Sequence, residues 1–361
     1  MAIYHLSVKT VSRSAGRSAT AAAAYRSGAR IACQREGRVH DYTRKRGVEH
    51  CEIIVPAAAT WARDREALWN AAELAEVRRN ATVAREYELA LPAELSATAR
   101  IALVREFGRA ISDRYAVAAD VAIHAPHRLG DQRNWHAHVM TTSRTVERDG
   151  LGVKTRVLDS RQSGPAEVVA IRAIWEAMAN AALERHGVEA RVDYRSLQRQ
   201  REEAETIAAS HRAVGDIAHA EMASARAESL DRPVAQHAGP GATNIERRAQ
   251  REAIAAGTDY QPATDIGARI HAAMKAKKAA EAAFFVAATT LAAIIREWVR
   301  EARQWIAHAR VRAAVIERER GVDFEDMRRV MADIEAKEAA IQQRQREAAR
   351  RRDRERLPGD E

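Results

Sequence analysis

Two histidines alternate with other residues in the stretch NWHAHVMTTSR, residues 134–144. Side chains at positions i and i+2 of a β-strand point to the same face, so His136 and His138 would project next to each other. His124 and His127 fall within the same 15 residues, in a chain that has 13 histidines over 361 positions. Neighbouring imidazoles on one strand face are typical of a site for a divalent transition metal.

Three of these histidines converge if ADVAIHA pairs with WHAHVMTT as a hairpin through PHRLGDQRN. His124, His136 and His138 would then supply three ligands and leave coordination positions open for substrate oxygens. A purely structural histidine cluster is the alternative interpretation. His127 falls in the predicted turn, where a hydrogen-bonded surface role is the simpler expectation.

Carboxylates lie on the neighbouring predicted strands. Glu86 and Glu88 share one face of REYELALP. They can orient a histidine or act as a base if that face adjoins the metal, and they are ordinary polar residues if it faces solvent. Asp120 shares the face of His124, so it is predicted either to orient that ligand from behind or to be solvated.

The first 46 residues are strongly basic: ten Lys or Arg against two acidic residues give +8, in a chain with net charge +9. This pattern predicts a polyanionic partner, most simply a nucleic acid. A metal beside such a segment indicates phosphate chemistry, which needs a nucleophile. Tyr25, in AAAAYRSG, is a candidate, although a tyrosine in an alanine-rich helix is usually a packing residue. The candidate DNA-binding side chains are Lys9, Arg13, Arg17, Arg26 and Arg30.

The elements that must position these residues follow from periodicity. Five segments predict strands, namely IYHLSVK, CEIIVP, REYELALP, ADVAIHA and WHAHVMTT. Three segments between the strands are predicted to be helices, because they are rich in alanine or have apolar residues at helical spacing. They are GRSATAAAAYRSG, TWARDREALWNAAELAEVRRNA and LSATARIALVREFGRAISDRY. Ser18 or Thr20 can cap the first of these helices, and Gly28 can end it. The order predicts an α+β fold: an antiparallel-sheet palm with helices on one side.

A further predicted helix, SGPAEVVAIRAIWEAMANAALERHG, has Pro165 in its first turn and completes a first domain of residues 1–200. Residues 201–264 are predicted to be a helical linker region broken by Pro and Gly. Residues 265–361 are predicted to form a charged long-helix region of unknown role. The second half is nearly charge-balanced, which favours partner-binding helices over a second DNA-binding domain.

Several classes of protein are disfavoured. Cys33 and Cys51 form no C-x-x-C pair, so neither a disulfide framework nor a cysteine zinc site is expected. The N-terminal MAIYHLSVKT lacks the apolar core of a signal peptide. The apolar run at 282–295 is shorter than the roughly 20 residues that span a bilayer. We therefore expect a cytoplasmic protein without a membrane span.

The motifs MAIYHLSVKTVSRSAGRSATAAAAYRSG, REYELALP, VAIHAPH and NWHAHVMTTSR together resemble the MobA/MobL family of plasmid mobilisation relaxases. They are also similar to the relaxase portion of TraA conjugation proteins, in the larger group of HUH endonucleases. The resemblance spans about residues 1–200 and implies a relaxase-like HUH palm. The family's residues fall on the following positions: Tyr25 as nucleophile, His136, His138 and His124 as ligands, and Glu86 as the acidic residue. Glu88 is a weaker extension.

The resemblance implies a site-specific and strand-specific nick at an origin of transfer, made with Mg²⁺ or Mn²⁺, while Zn²⁺ could bind in vitro. The tyrosine would stay on the DNA 5′ end and later rejoin the strand. The implied partners are single-stranded DNA at the origin, accessory mobilisation proteins and a coupling or secretion system. No G-x-x-x-x-G-K-[ST] loop occurs, so unwinding is expected from another protein or from supercoiling.

Two alternatives stay open at this point. A rolling-circle replication initiator shares the metal pair and the tyrosine, but its tyrosine usually follows the histidines, whereas Tyr25 precedes them by about 110 residues. The second alternative is a non-catalytic DNA-binding scaffold protein. Such a protein would tolerate the loss of the metal ligands, whereas all the expected chemical groups are present in this sequence.

Overall fold

The computed structural model describes residues 4–128, 131–234, 236 and 238–320, together with four single helical positions at 329, 332, 336 and 343. The strands within this part are β1 (Leu6–Ser12), β2 (Arg30–Cys33), β3 (Arg38–Asp41), β4 (Val48–Ile54), β5 (Thr82–Leu91), β6 (Ala119–His124), β7 (Trp135–Thr142), β8 (Arg144–Glu147) and β9 (Gly150–Lys154). The α-helices are α1 (Ala19–Ser27), α2 (Arg65–Leu74), α3 (Ala97–Tyr115), α4 (Gly164–Arg185), α5 (Leu197–Ala213), α6 (Ile217–Leu230), α7 (Pro240–Ala256) and α8 (Asp265–Arg320).

The central sheet has the strand order β1-β5-β7-β6-β4, and every neighbouring pair is antiparallel. All five predicted strands are present in it. β7 lies in the middle of this sheet, between β5 and β6. The hairpin of β6 and β7 aligns His124 directly with His136.

Apolar side chains cover one face of the sheet and pack against α3 and α4. Tyr87, Val121 and Val139 from the strands meet Phe107 of α3 and Trp175 of α4, all fully buried. The predicted α+β class, an antiparallel-sheet palm with a long-helical C-terminal region, is therefore confirmed.

A second, smaller core lies on the opposite face, which also carries the histidines. Here α1 and α2 pack against Ala84 and Met140 through small or apolar side chains such as Ala23 and Trp69. The prediction of helices on one side only is therefore corrected, because α1 and α2 cover the second face of the sheet. This layer forms because the site face of the sheet turns apolar beyond the histidines and needs cover.

The helix α1 is capped as predicted at both ends. Ser18 Oγ accepts a hydrogen bond from the Ala21 N–H, so Ser18 and not Thr20 is the N-cap. Gly28 ends the helix with φ of +67°, a left-handed conformation that favours glycine. The last turn therefore stops directly after Tyr25, Arg26 and Ser27.

Two short hairpins were not predicted, β2 with β3 and β8 with β9. Their strands are only four or five residues long, so they give almost no periodic signal. The first hairpin follows α1 directly and packs beside it, with Ile31 buried in the smaller core.

The chain packs as two compact units, one of Met1–Arg199 with Ala235–Ala272 and one of Gln200–Val234 with Ala273–Glu361. The predicted domain boundaries at 200 and 264 remain predictions. Most of the predicted long-helix region beyond residue 320 lies outside the described residues. Within the described part, α8 contains one stretch, in Asp265–His308, that is apolar and long enough to cross a membrane, with mean hydropathy 1.6. This match rests on length and composition alone, and core helices of soluble proteins can have the same length and composition. The absence of a membrane span therefore stays a prediction.

Glu73 of α2 anchors the start of α1 from a fully buried position. Its carboxylate accepts hydrogen bonds from the Ala19 N–H at 2.6 Å, from Arg35 Nε at 2.8 Å and from Arg13 Nη2 at 3.2 Å. Removing one partner of a buried ion pair leaves the other charges uncompensated.

We therefore expect Glu73→Ala to lower the free energy of unfolding by about 3–5 kcal/mol, measured by urea denaturation. Glu106→Ala is the control, because Glu106 is half exposed and pairs with Arg185 at the surface. Its loss should stay within about 0.5 kcal/mol. Equal small losses in the two variants would contradict the anchoring role.

Candidate metal centre and nucleophile

The three predicted ligand histidines converge on one face of the sheet. The nitrogen atoms of His124, His136 and His138 that could bind a metal lie within 4.8 Å of one another. The ring centroids are 4.8 to 5.4 Å apart. The cluster arises because β6 and β7 place His124 opposite His136, while His138 lies two residues further along the same face.

Each imidazole uses one ring nitrogen for a hydrogen bond and keeps the other available. His136 Nδ1 lies 3.1 Å from the Asn134 carbonyl oxygen, and His124 Nε2 lies 2.7 Å from the Arg26 carbonyl oxygen. A carbonyl oxygen only accepts, so these nitrogens carry the proton. His138 Nδ1 lies 2.6 Å from Glu86 Oε1, which fixes its tautomer in the same way. Such partners orient metal-binding histidines.

Protonation of two of the histidines, His124 and His136, is disfavoured at the site. Burial lowers the pKa of His124 to about 3, and the nearby Lys45 acts in the same direction. Burial also lowers the pKa of His136. Both imidazoles are therefore neutral at physiological pH, which is the form that binds metals.

Glu86 is buried between His138 and Arg26. Arg26 donates from both Nε and Nη2 to the two carboxylate oxygens, the Nη2 bond being 2.6 Å long. Burial alone would raise the pKa of Glu86, but the hydrogen bonds from His138 and Arg26 outweigh it and hold the pKa at about 2. The carboxylate is thus permanently ionised and orients His138.

Glu88 lies opposite His138 in the sheet register, one strand away. Its carboxylate accepts a hydrogen bond from Lys9 Nζ. Burial alone would raise the pKa of Glu88, but the hydrogen bond and the charge of Lys9 outweigh this effect. The pKa of Glu88 is therefore below its usual value. Glu88 is therefore an ionised neighbour of the cluster.

Asp120 differs from the prediction that it orients His124. It shares the face of His124, but its carboxylate accepts hydrogen bonds from Arg65 and from Trp69 Nε1, at 2.8 to 3.1 Å, and from no histidine in the described part of the chain. Both donors belong to α2, and Arg65 is its first residue. Asp120 thus fastens α2 to the sheet.

Tyr25 lies in the last turn of α1, with its side chain half exposed. It is therefore not a core packing residue. Its ring makes an edge-to-face contact with Tyr42, at 5.3 Å between centroids. The next residue, Arg26, supplies the carbonyl that accepts from His124. The end of the helix that carries Tyr25 is thus hydrogen-bonded directly to a histidine of the cluster.

Lys45 lies between Tyr25 and His124, a position that the sequence did not reveal. Its Nζ lies 3.8 Å from the centroid of the Tyr25 ring, donates to the Tyr25 carbonyl oxygen at 2.7 Å, and lies 3.4 Å from His124 Nε2. Burial lowers the pKa of Lys45 to about 8, and Arg26 adds to this effect. The only sequence signal was a basic residue in the run TRKRG, indistinguishable from its neighbours.

Three of the five predicted DNA-binding side chains have a carboxylate partner within the protein. Arg13 donates to the carbonyl oxygens of Glu73 and Glu76, Arg26 is bound to Glu86, and Lys9 is bound to Glu88. For Arg13 and Arg26 the prediction is corrected, because buried carboxylates hold their guanidinium groups inside the fold. Lys9 keeps an exposed part. Arg17 and Arg30 are exposed, as a DNA contact requires.

The donor set fits a divalent transition metal. Three imidazoles, each oriented by a carbonyl or carboxylate, are a common ligand set for Zn²⁺, Mn²⁺ or a similar ion. An ionised Glu88 beside the cluster adds negative charge that favours a cation. The nitrogen chemistry suits several ions and does not select one.

Comparison with known proteins gives the following matches. The sequence profile of the MobA/MobL family matches residues 17–220. The chain is 41% identical over 278 residues to "Mobilization protein MobL" of Acidithiobacillus ferridurans, covering 70% of this chain and 66% of that protein. It is 35% identical over 228 residues to "Conjugal transfer protein TraA" of Rhizobium radiobacter, covering 55% of this chain and 20% of that protein.

A solved structure, "Molecular Basis of Vancomycin Resistance Transfer in Staphylococcus aureus", matches with a TM-score of 0.48 and 32% sequence identity. The match covers 54% of this chain and all of that one. The chain therefore spans just under two thirds of the MobL relative and one fifth of the TraA relative.

Proposed function

The chain belongs to the MobA/MobL family, and from this premise we propose that it is a relaxase that nicks one DNA strand at an origin of transfer. A role in mobilisation or conjugation agrees with the names of its relatives. The finer proposal is a tyrosine HUH endonuclease, with Tyr25 as nucleophile and His124, His136 and His138 as metal ligands.

One observation carries this proposal. Tyr25 is half exposed in the last turn of α1, and the carbonyl of the next residue, Arg26, accepts a hydrogen bond from His124. A nucleophile must be accessible to a DNA phosphate and fixed relative to the groups that hold that phosphate. The Arg26 carbonyl and Lys45 provide that fixation from the main chain and from a side chain. A packing tyrosine or an unrelated histidine cluster would need neither link.

The proposed reaction is a transesterification. Tyr25 Oη loses its proton and forms a bond to phosphorus, the bond from phosphorus to the 3′-oxygen breaks, and the departing strand ends in a 3′-hydroxyl. The 5′ end stays on the protein as a phosphotyrosine. When bound by the histidines, the divalent ion neutralises charge on the phosphate oxygens. One phosphodiester replaces another, so the same residue can rejoin the strand after transfer.

Glu86 is proposed to act as a positioning residue. A carboxylate with a pKa of about 2 is a weak base at neutral pH, because it holds a proton poorly. Its hydrogen bond to His138 and its ion pair with Arg26 instead fix one ligand relative to α1. Glu88 is proposed to support the same ligand side of the cluster electrostatically.

Lys45 is proposed to stabilise the developing negative charge on Tyr25. An ammonium group 3.8 Å from the ring centroid favours the phenolate over the neutral phenol electrostatically. We expect Lys45→Met to lower the rate of adduct formation about tenfold or more, since about 1.4 kcal/mol of lost stabilisation has that effect. Lys45→Arg should keep part of the rate. Quenched-flow or manual time courses with an origin oligonucleotide at saturation would measure it.

Arg44→Met is the control for Lys45, because Arg44 is an exposed neighbour in the same turn. It removes an equal charge and should leave the saturated rate nearly unchanged. If Lys45→Met reacts as fast as the Arg44→Met variant, the proposed electrostatic role is wrong.

The proposed function is tested with a supercoiled plasmid that carries its own mobilisation region. The expected result is a metal-dependent nick at one position on one strand, with protein attached to the 5′ end after denaturation. Nicking without covalent attachment, or no nicking of any strand in a folded, metal-loaded protein, would overturn it.

We also propose a division of labour along the chain. Residues 1–200 hold every proposed catalytic group, while the later helices, in a nearly charge-balanced region, contact accessory mobilisation proteins and a coupling or secretion system. The proposed location is the cytoplasm, where the plasmid is. Binding of Mg²⁺ or Mn²⁺ in the cell is part of the same proposal, with Zn²⁺ as an in vitro ligand.

A further inference from the structure

The β2–β3 hairpin carries a second group of metal-binding atoms, separate from the histidine trio. The Sγ of Cys33, a carboxylate oxygen of Glu36 and a ring nitrogen of His40 all lie within 4.8 Å of one another. Cys33 and His40 are buried and Glu36 is nearly so. This group contains a single cysteine, so it lacks the C-x-x-C pattern whose absence made a cysteine zinc site unexpected from the sequence.

The hairpin register explains why the three residues meet. His40 pairs with Ile31, which lies two residues before Cys33 and therefore points to the same face of the hairpin. Cys33 and His40 are thus diagonal neighbours on that face. Glu36 lies in the turn between the strands, and its carboxylate folds back toward them.

His40 supplies an independent sign that a ligand is missing. Its side chain is 8% exposed, and its Nε2 is buried without a hydrogen-bond partner. Glu36 Oε2 lies 3.2 Å from this nitrogen, but not in hydrogen-bond geometry. Buried polar atoms are nearly always satisfied in proteins, so an exception calls for an explanation. A metal ion held between the three side chains would satisfy it.

We propose that Cys33, Glu36 and His40 bind a zinc-type transition metal that stabilises the β2–β3 hairpin. A thiolate, an imidazole and a carboxylate are the three donor types that Zn²⁺ accepts, and water can complete a four-coordinate site. Binding releases the Cys33 thiol proton to solvent as the sulfur bonds the metal. No oxidant or further reactant is needed.

The charges around Glu36 bear on the affinity of this site. Arg35 Nη2 donates to Glu36 Oε1 at 2.6 Å, and Arg38 Nε donates to Oε2 at 2.8 Å. These guanidinium groups oppose a cation, but they also keep the carboxylate ionised and leave it one lone pair per oxygen for a metal. Arg35 additionally contacts Glu73, the residue that anchors α1. A metal in the hairpin would therefore steady the support of the helix that carries Tyr25.

A further group, His211, Asp216 and His219, passes the same distance criterion. In that group both histidine Nδ1 atoms are hydrogen-bonded to Asp216, which also caps α6, and the side chains are one third to two thirds exposed. Because this group and the trio could both bind Zn²⁺ in vitro, zinc stoichiometry does not isolate the hairpin site. A test that detects sulfur does.

The test is a titration of the full chain with Co²⁺, observed by absorption spectroscopy. A thiolate bonded to Co²⁺ gives a charge-transfer band in the near ultraviolet, which sites built from histidine and aspartate lack. We expect this band in the unmodified protein, loss of it in Cys33→Ser, and retention in Cys51→Ser. Since the chain has only these two cysteines, the pair is a matched control. Zn²⁺ should displace Co²⁺ and remove the band.

His40→Gln is a second variant, with expected weakening of Co²⁺ affinity by tenfold or more, and thermal melts of every variant report folding. Two outcomes would overturn the proposal: no thiolate band in the folded, unmodified protein at saturating Co²⁺, or a band that persists in Cys33→Ser. The first outcome needs no variant, so the proposal stays testable even if a substituted chain fails to fold.

Discussion

Tyr25→Phe is expected to abolish the covalent protein–DNA adduct. The affinity for an origin oligonucleotide should stay within about threefold of that of the parent protein, which corresponds to a change in binding free energy of less than about 1.4 kcal/mol. The substitution removes the single oxygen that would bond phosphorus and no carbon of the ring. Because the side chain is half exposed and its ring contacts are kept, folding should be unaffected. Denaturing gel electrophoresis of labelled oligonucleotide detects the adduct, and fluorescence anisotropy measures binding.

Tyr42→Phe is the matched control for Tyr25, since the two rings touch and both belong to the basic N-terminal segment. Its adduct should form at close to the parental rate. An adduct that persists in Tyr25→Phe and disappears in Tyr42→Phe would move the nucleophile to the second tyrosine. An adduct that persists in both would exclude the pair.

The double substitution His136→Ala and His138→Ala is expected to eliminate metal-dependent nicking. Only His124 would remain of the trio, and one imidazole is a poor site for weakly binding ions such as Mg²⁺ or Mn²⁺. Removal of His138 also leaves Glu86 with Arg26 as its main partner. The measurement is plasmid relaxation over a range of Mn²⁺ concentrations, with chelator as the metal-free reference.

The double substitution His211→Ala and His219→Ala removes the same number of imidazoles from a different cluster and serves as the control. It should relax plasmid as the parent does. Undiminished relaxation by the His136→Ala, His138→Ala protein at low Mn²⁺ would exclude the trio as the functional metal site. Tight Zn²⁺ binding by the parent protein would not, because nitrogen ligands favour Zn²⁺ over Mn²⁺ on affinity alone.

The strands and the histidine trio were predictable from sequence because both depend on a period of two. Alternation in WHAHVMTT places His136 and His138 on one face whatever the rest of the fold does, and a short hairpin brings His124 to them. Lys45 was not predictable in the same way. It lies between short strands in a segment without periodicity, so its position depends on how the first hairpin packs against α1.

Charge was a weaker guide than periodicity. The excess of basic residues in the first 46 positions predicted DNA contacts, yet Arg13 and Arg26 are used to neutralise the buried carboxylates of Glu73 and Glu86. A sequence lists charges without their partners, because those partners lie about 60 positions away along the chain. Arg17 and Arg30 are the positions where the electrostatic prediction still applies.

The hydrogen bond from His124 to the carbonyl of Arg26 has a consequence for how this site can vary. Every residue offers the same carbonyl, so no change of side chain at position 26 deletes that acceptor. A single inserted or deleted residue within α1 would instead rotate the helix end by about 100° and move it by about 1.5 Å, carrying the tyrosine away from its histidine partner. This one hydrogen bond is therefore tolerant of composition and intolerant of length, so a recombined or redesigned version must keep the number of residues in α1 as well as Tyr25 and Arg26.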